Sequence, residues 1–187
     1  MAIPHDPAER AALPVSEQPP NSPPAPGILA AVDGSDGSLW ALDRAMTEAE
    51  LFGLPLYALA VVNPSPGGYT LGMADIVQEG VERLLVTMRD SLRRSVATVQ
   101  DARVRPYAGP ISLHVVLGNV VETVLAASAH HHTLVMGTRG NGGFARLLLG
   151  SVSTAAVHHA ACPVLIVPAP PEPAGGAADT ASAATPD

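Results

Sequence analysis

The chain contains no lysine; all ten of its basic residues are arginine. A phosphate-binding loop of the G-x-x-x-x-G-K-[ST] type is therefore excluded, because its lysine is missing. Cysteine is nearly absent as well. Cys162 is alone, so an internal disulfide and a cysteine-rich metal site are both ruled out, and a reducing cytosol suits the composition. Aromatic residues make up only 3% against 47% hydrophobic residues, so the core must be built from Val, Leu, Ile and Ala. That mixture suits parallel strands covered by helices. The N-terminus, Met1-Ala2-Ile3-Pro4-His5-Asp6, has neither a basic n-region nor an apolar h-region, and no apolar run approaches membrane-spanning length. Neither secretion nor membrane association is expected, and a cytoplasmic location is.

The formal net charge of −7 is unevenly placed. Asp6, Glu9, Glu17, Glu172, Asp179 and Asp187 lie near the ends with Arg10 as the only base beside them. Residues 27–168 carry eleven acidic residues against nine arginines. No basic face suited to nucleic acid follows from that balance. Residues 1–26 are proline-rich, with Pro19-Pro20 and Pro23-Pro24, and residues 169–187 are Ala, Pro, Gly and Thr without a core-forming run. Both segments are expected to be disordered tails around one domain at 27–168, since neither buries enough apolar surface to offset the entropy of ordering it.

Inside those limits strand and helix patterns alternate. Gly27–Asp33, Leu54–Val62, Ile111–Leu117, Thr133–Met136 and Pro163–Val167 are apolar runs of strand length. Between them Ser38–Phe52 has helical spacing closed by Gly53, and a long helix carries Val77, Val81, Leu84, Met88, Leu92, Val96 and Val99 on one side. Glu79 with Arg83 and Asp90 with Arg94 are spaced to pair on its exposed side. Asn119 followed by Glu122 opens a further helix, and Gly150–Ala161 supplies the last. The pattern predicts an α/β fold with a doubly wound, open, five-stranded parallel sheet.

Two loops follow strand ends in equivalent positions: Val32-Asp33-Gly34-Ser35-Asp36-Gly37-Ser38 after the first strand and Met136-Gly137-Thr138-Arg139-Gly140 after the fourth. Ligands of open α/β sheets sit beyond the carboxyl ends of the strands where the winding reverses. Gly137 and Gly140 let backbone approach an anion, and Gly150 precedes a helix whose positive end, with the Ser151 and Ser153 hydroxyls, suits phosphate. The plainer alternatives are that the glycines only make turns and that Ser151 only caps a helix.

The combination G-x-x-G-x9-G-S-V-S at 137–153, L-V-M-G at 134–137, A-C-P-V-L-I-V-P at 161–168 and V-D-G-S-x-x-S at 32–38 resembles the universal stress protein family over about 27–168. The resemblance implies a Rossmann-like sheet in strand order 3-2-1-4-5, of the adenine nucleotide alpha hydrolase-like type. For the family's ATP-binding branch it implies that Ala31, Val32 and Asp33 lie along the nucleotide, Asp33 near the ribose or a phosphate-bound Mg²⁺. Val61 would meet the adenine through its backbone. Met136, Gly137, Arg139 and Gly140 would line the ribose and phosphate path, and Gly150, Ser151, Val152 and Ser153 would cradle the phosphates. A homodimer through Val164–Val167 is implied too. Arg139 adds a cation for phosphate, or else points to solvent.

No residue is placed as a water-activating base, so ATP sensing with little or no hydrolysis is the expected function, acting through an unidentified protein partner. The alternatives are a nucleotide-independent dimeric interaction module and a phosphotransfer enzyme with Ser151 or Ser153 as acceptor. His130-His131-His132 and His158-His159 are consecutive, so their side chains diverge and structural or solvent roles are expected over a metal site. Cys162 reads as a small core hydrophobe, and Trp40 as a packing residue of the first helix. Tyr69, in the loop after the second strand, is a candidate lid over adenine, and Asn141-Gly142-Gly143 is a candidate closing turn.

Overall fold

The computed structural model describes residues 3, 4, 6–63, 74–140 and 148–170, with the side chains of 7, 11 and 74–78 left out. In chain order the elements are α1 (Pro7–Ala11), β1 (Val15–Ser16), β2 (Ile28–Ala31), α2 (Asp36–Phe52), β3 (Leu56–Val62), α3 (Ala74–Ala102), β4 (Ile111–Leu117), α4 (Val120–Ser128), β5 (Thr133–Gly137), α5 (Ser151–His159) and β6 (Val164–Val167). The six strands form one parallel sheet in the order β1-β4-β3-β2-β5-β6. Five of them reproduce the expected 3-2-1-4-5 arrangement, and β1 is a sixth strand added at the β4 edge.

Side-chain alternation explains the two layers that cover the sheet. On one face Ile28, Ala30, Ala58, Leu113 and Val115 pack against Leu42, Ala45 and Met46 of α2 and Leu92, Val96 and Val99 of α3. On the other, Leu29, Leu59, Val116 and Leu134 meet Val124 and Ala127 of α4 and Ala156 of α5. Burying both faces is what makes the strands read as continuous apolar runs. Helix α2 ends at Gly53, whose left-handed φ of 64° lets its N–H reach the Ala49 and Glu50 carbonyls. Asn119 caps α4 by accepting from the Glu122 N–H at 3.2 Å, as its spacing from Glu122 suggests. On α3, Glu79 pairs with Arg83, while Asp90 pairs with Arg93 rather than Arg94. Leu85 is buried there in place of the expected Leu84.

The N-terminal segment departs from its expected disorder. Ile3 and Leu13 are buried, Arg10 pairs with Asp101, Arg89 pairs with Glu17, and Arg93 Nε donates to the Leu13 carbonyl at 2.9 Å. Strand β1 adds Val15 opposite Leu113 and Ser16 opposite His114. Sparse apolar residues sufficed because α3 supplies arginines for the segment's carbonyl and carboxylate groups. Residues 171–187 of the expected C-terminal tail, Tyr69 and Asn141-Gly142-Gly143 lie outside the described residues. Among the described residues no helix is long and apolar enough to cross a membrane.

Candidate functional site

The chain winds from β2 through β3 to β4 on one side and then crosses to β5 and β6 on the other, so the reversal falls between β2 and β5. Their carboxyl ends open the crevice expected at such a switch point. Ala31 is the last residue of β2, and the buried Val32 continues the ladder for one bond, its N–H donating to the Leu59 carbonyl at 2.9 Å. The β2–β3 register stops at the Ala31–Leu59 pair while β3 continues to Val62. Val61 therefore overhangs the crevice, half-buried, with no β2 residue paired to it. Met136 and Gly137 close β5 and are both buried.

The loops after β2 and β5 touch. A Cβ on Gly137 would lie 2.9 Å from the Gly37 carbonyl group, and one on Gly37 would lie 3.2 Å from the Arg139 carbonyl oxygen. A Cβ on Gly140 would collide with the Asp33 carboxylate. A side chain at 137 is excluded by the Gly37 backbone, whereas one at 140 requires the exposed Asp33 carboxylate to move aside. Asp33 itself is exposed at the mouth, and its Oδ1 accepts from the Ser35 N–H at 3.0 Å and the Ser35 hydroxyl at 2.6 Å. Ser35 also caps α2 by accepting from the Ser38 N–H at 3.3 Å. The Ser38 hydroxyl takes the Gly34 N–H at 3.1 Å and donates to the Ser35 carbonyl at 2.8 Å, which knits the loop together. Sequence reasoning left these roles of Ser35 and Ser38 unstated, although both lie in the V-D-G-S-x-x-S motif.

At the other loop the Thr138 carbonyl is the hub. It accepts from the Gly150 N–H at 2.8 Å and from the Ser153 hydroxyl at 2.7 Å, while the Thr138 N–H reaches the Val167 carbonyl at 3.2 Å. Arg139 and Gly140 are exposed beside it. Gly150 is the N-cap of α5 and has no side chain to fold back on the first turn. The positive end of α5 is thus left without side-chain satisfaction, in position for an anion. Ser151 is exposed, Val152 is half-buried against the second core cluster, and Ser153 is buried. The Ser153 hydroxyl points into its own loop, holding Thr138 and, at 3.1 Å, the Gly150 carbonyl.

Among the described residues no three His, Cys, Asp or Glu side chains converge on a metal-sized site. A Mg²⁺ ion carried in on phosphate oxygens needs only one or two carboxylates, and Asp33 at the crevice mouth fits that part. The described histidines are elsewhere. His131 Nδ1 lies 2.9 Å from the Ala127 carbonyl at the end of α4, His130 and His132 are exposed, and His158 and His159 lie exposed at the end of α5. Burial lowers the pKa of His131 and likewise of His114, whose Nδ1 lies 2.8 Å from the Gln18 carbonyl. Cys162 is half-buried against the second cluster, and burial raises its pKa, which disfavours the reactive thiolate. Trp40, expected to pack, is 49% exposed on α2.

With the geometry in place, residues 27–168 match the model of the Universal stress protein family. The chain belongs to the universal stress protein family. A universal stress protein of Mycobacterium tuberculosis is 31% identical over 158 residues, spanning 79% of this chain and 50% of the relative. The chain thus covers about half the length of the mycobacterial relatives it matches. Another, from Methanocaldococcus jannaschii, is 31% identical over 150 residues, spanning 76% of this chain and 82% of that one. Among solved structures, universal stress protein UspA of Lactobacillus plantarum superposes with a TM-score of 0.65 at 23% identity, over 76% of this chain and 97% of that one. A universal stress protein in complex with cAMP does so with a TM-score of 0.50 at 24% identity, over 78% and 98%. These likenesses support the Rossmann-like α/β fold. The family match spans residues 27–168 and leaves α1 and β1 outside it.

Proposed function

We propose that this universal stress protein binds ATP with Mg²⁺ in the β2–β5 crevice and acts as a cytoplasmic nucleotide-sensing module in stress signalling. The observation that carries the reading is the close approach of the two glycine-bearing loops beside the open N-terminus of α5. Ala31, Val32 and Asp33 are assigned to the nucleotide's flank and Val61 to the adenine. Met136, Gly137, Arg139 and Gly140 are assigned to the ribose and phosphate path, and Gly150, Ser151, Val152 and Ser153 to the phosphates, Ser153 through its backbone N–H because its hydroxyl is held by the Thr138 carbonyl. Backbone N–H groups at such an end, with a guanidinium near by, favour a charged phosphate chain. The cAMP complex of a protein sharing this fold makes adenine nucleotides the class to test.

Sensing is favoured over turnover because the sequence supplies no lysine for the phosphates and Asp33 has its Oδ1 committed to Ser35. When bound, Mg²⁺ would neutralise phosphate charge, with Asp33 as the protein carboxylate that meets it. Calorimetric titration with ATP and Mg²⁺ tests the proposal: one saturable site is expected, and a flat titration at millimolar nucleotide refutes it.

A second reading, association through β6 without nucleotide, draws on the half-exposure of all four β6 residues at the sheet edge. Both properties can belong to one homodimeric molecule. Sedimentation of the Gly140→Ala variant separates them, because crowding of Asp33 should weaken ATP binding and leave the dimer mass unchanged.

A further inference from the structure

A cavity of about 510 Å³ lies against the outer edge of β4, two strands along the sheet from β2. Its walls include Leu85 of α3, Ala126 of α4 and Val115–Leu117 of β4, and its polar groups come from Glu17, Asn21, Glu122 and Thr123. The size is that of a small-molecule or short-peptide site, ~300–1,000 Å³.

The cavity exists because β1 stops early. The β1–β4 register ends at the Ser16–His114 pair, and β4 runs on to Leu117. The next ladder donor, the Gln18 N–H, is turned back on to the Ser16 hydroxyl at 3.1 Å. Pro19 and Pro20, which follow it, have no N–H to offer. The chain therefore leaves the β4 edge at 115–117 without continuing the ladder, and lines the gap with its own Glu17, Pro19 and Asn21 instead.

The chemistry of the gap has one sign. Glu17 is neutralised by Arg89, but no described residue pairs with the Glu122 carboxylate. Asn21 Oδ1 is buried there without a hydrogen-bond partner. No basic side chain is among the described residues that line the cavity. A strand edge, apolar walls and surplus acceptors together call for an occupant with main-chain N–H groups, small apolar side chains and one cation.

We propose that this gap is a strand-addition site for an extended peptide carrying a basic residue. The peptide continues the sheet outward from β4 where β1 ends, and its cation meets Glu122. Main-chain bonds supply the affinity and the acidic wall supplies the selectivity.

The test titrates isotope-labelled full-length protein with acetyl-Thr-Val-Lys-Val-Thr-amide and follows amide shifts. Three comparison probes are the same peptide N-methylated at alternate positions, a version with glutamate for lysine, and n-butylammonium. The expected result is a saturable shift of the Leu117 and Thr123 amides that N-methylation abolishes and Glu122→Gln weakens about three-fold. Glu122 is exposed, so Glu122→Lys should fold and should prefer the glutamate peptide. Three results overturn the proposal: equal binding of the N-methylated peptide, equal shifts with n-butylammonium, or no shift across Val116–Thr123 with any probe up to ~10 mM.

Discussion

Two serines two residues apart on α5 should respond to the same substitution in opposite ways. Ser153 is 2% exposed, and its hydroxyl bridges the Thr138 carbonyl at 2.7 Å and the Gly150 carbonyl at 3.1 Å. Ser153→Ala removes that hydroxyl but leaves neither acceptor orphaned. Thr138 still receives the Gly150 N–H at 2.8 Å, and Gly150 still receives the Thr154 N–H at 2.9 Å. The loss is then that of an ordinary buried hydrogen bond, about 1 kcal/mol. For a chain of this size it lowers Tm by roughly 2–4 °C. The Ser151 hydroxyl is exposed and bonded to none of the described residues, so Ser151→Ala should leave stability within ~0.5 kcal/mol of the parent. If its hydroxyl donates to a phosphate oxygen, the loss of that charge-assisted bond costs about 1.5 kcal/mol, or about ten-fold in ATP affinity. Thermal denaturation and calorimetric titration of the two variants side by side read both quantities. An unchanged Tm with ten-fold weaker binding in Ser153→Ala would refute the assignment of its hydroxyl to the loop.

Glycines 137 and 140 should also separate. Gly140→Ala meets the end of a mobile carboxylate and should weaken nucleotide binding with a small change in Tm. Gly137→Ala meets Gly37 backbone at 2.9 Å and should cost stability as well, on the order of 1–3 kcal/mol by denaturant titration. Leu13→Ala should cost about 2–3 kcal/mol if the N-terminal segment stays docked, or else release it, which limited proteolysis would show as new cleavage before Gly27. Lowered His114 and His131 pKa values mean that the unfolded chain binds more protons below its ordinary histidine pKa, ~6.5. The stabilisation held above that value is lost as pH falls through the depressed folded-state values. Tm should therefore drop between pH 7 and 5, and a His114→Gln/His131→Gln double variant should flatten that slope.

The five strands of the family domain were legible because each is an apolar run beside a glycine or proline break, and the switch point followed from the strand order that the family resemblance implies. Helix capping was legible where it is local, at Gly53 and Asn119. Interactions formed by distant residues left no such mark. Strand β1 is two residues long and depends on Arg89 and Arg93 of α3, so no window around Val15 carries its signal. The same holds for Ser153, whose hydroxyl is aimed by a carbonyl 15 residues earlier in the chain. Trp40 shows the converse limit: its apolar type suggested packing, but its place on α2 leaves half of it in water.

The position of β1 also sets an order of events at the ribosome. Val15 leaves the exit tunnel about 100 residues before its partner Leu113. At ~5–20 residues per second the segment waits roughly 5–20 s for the strand it joins. Residues 28–62 can already pair β2 with β3 in that interval. Strand β1, made before the other five strands of the sheet, is seated only when β4 follows β2 and β3, and during that delay it is open to whatever else in the cell pairs with a free strand.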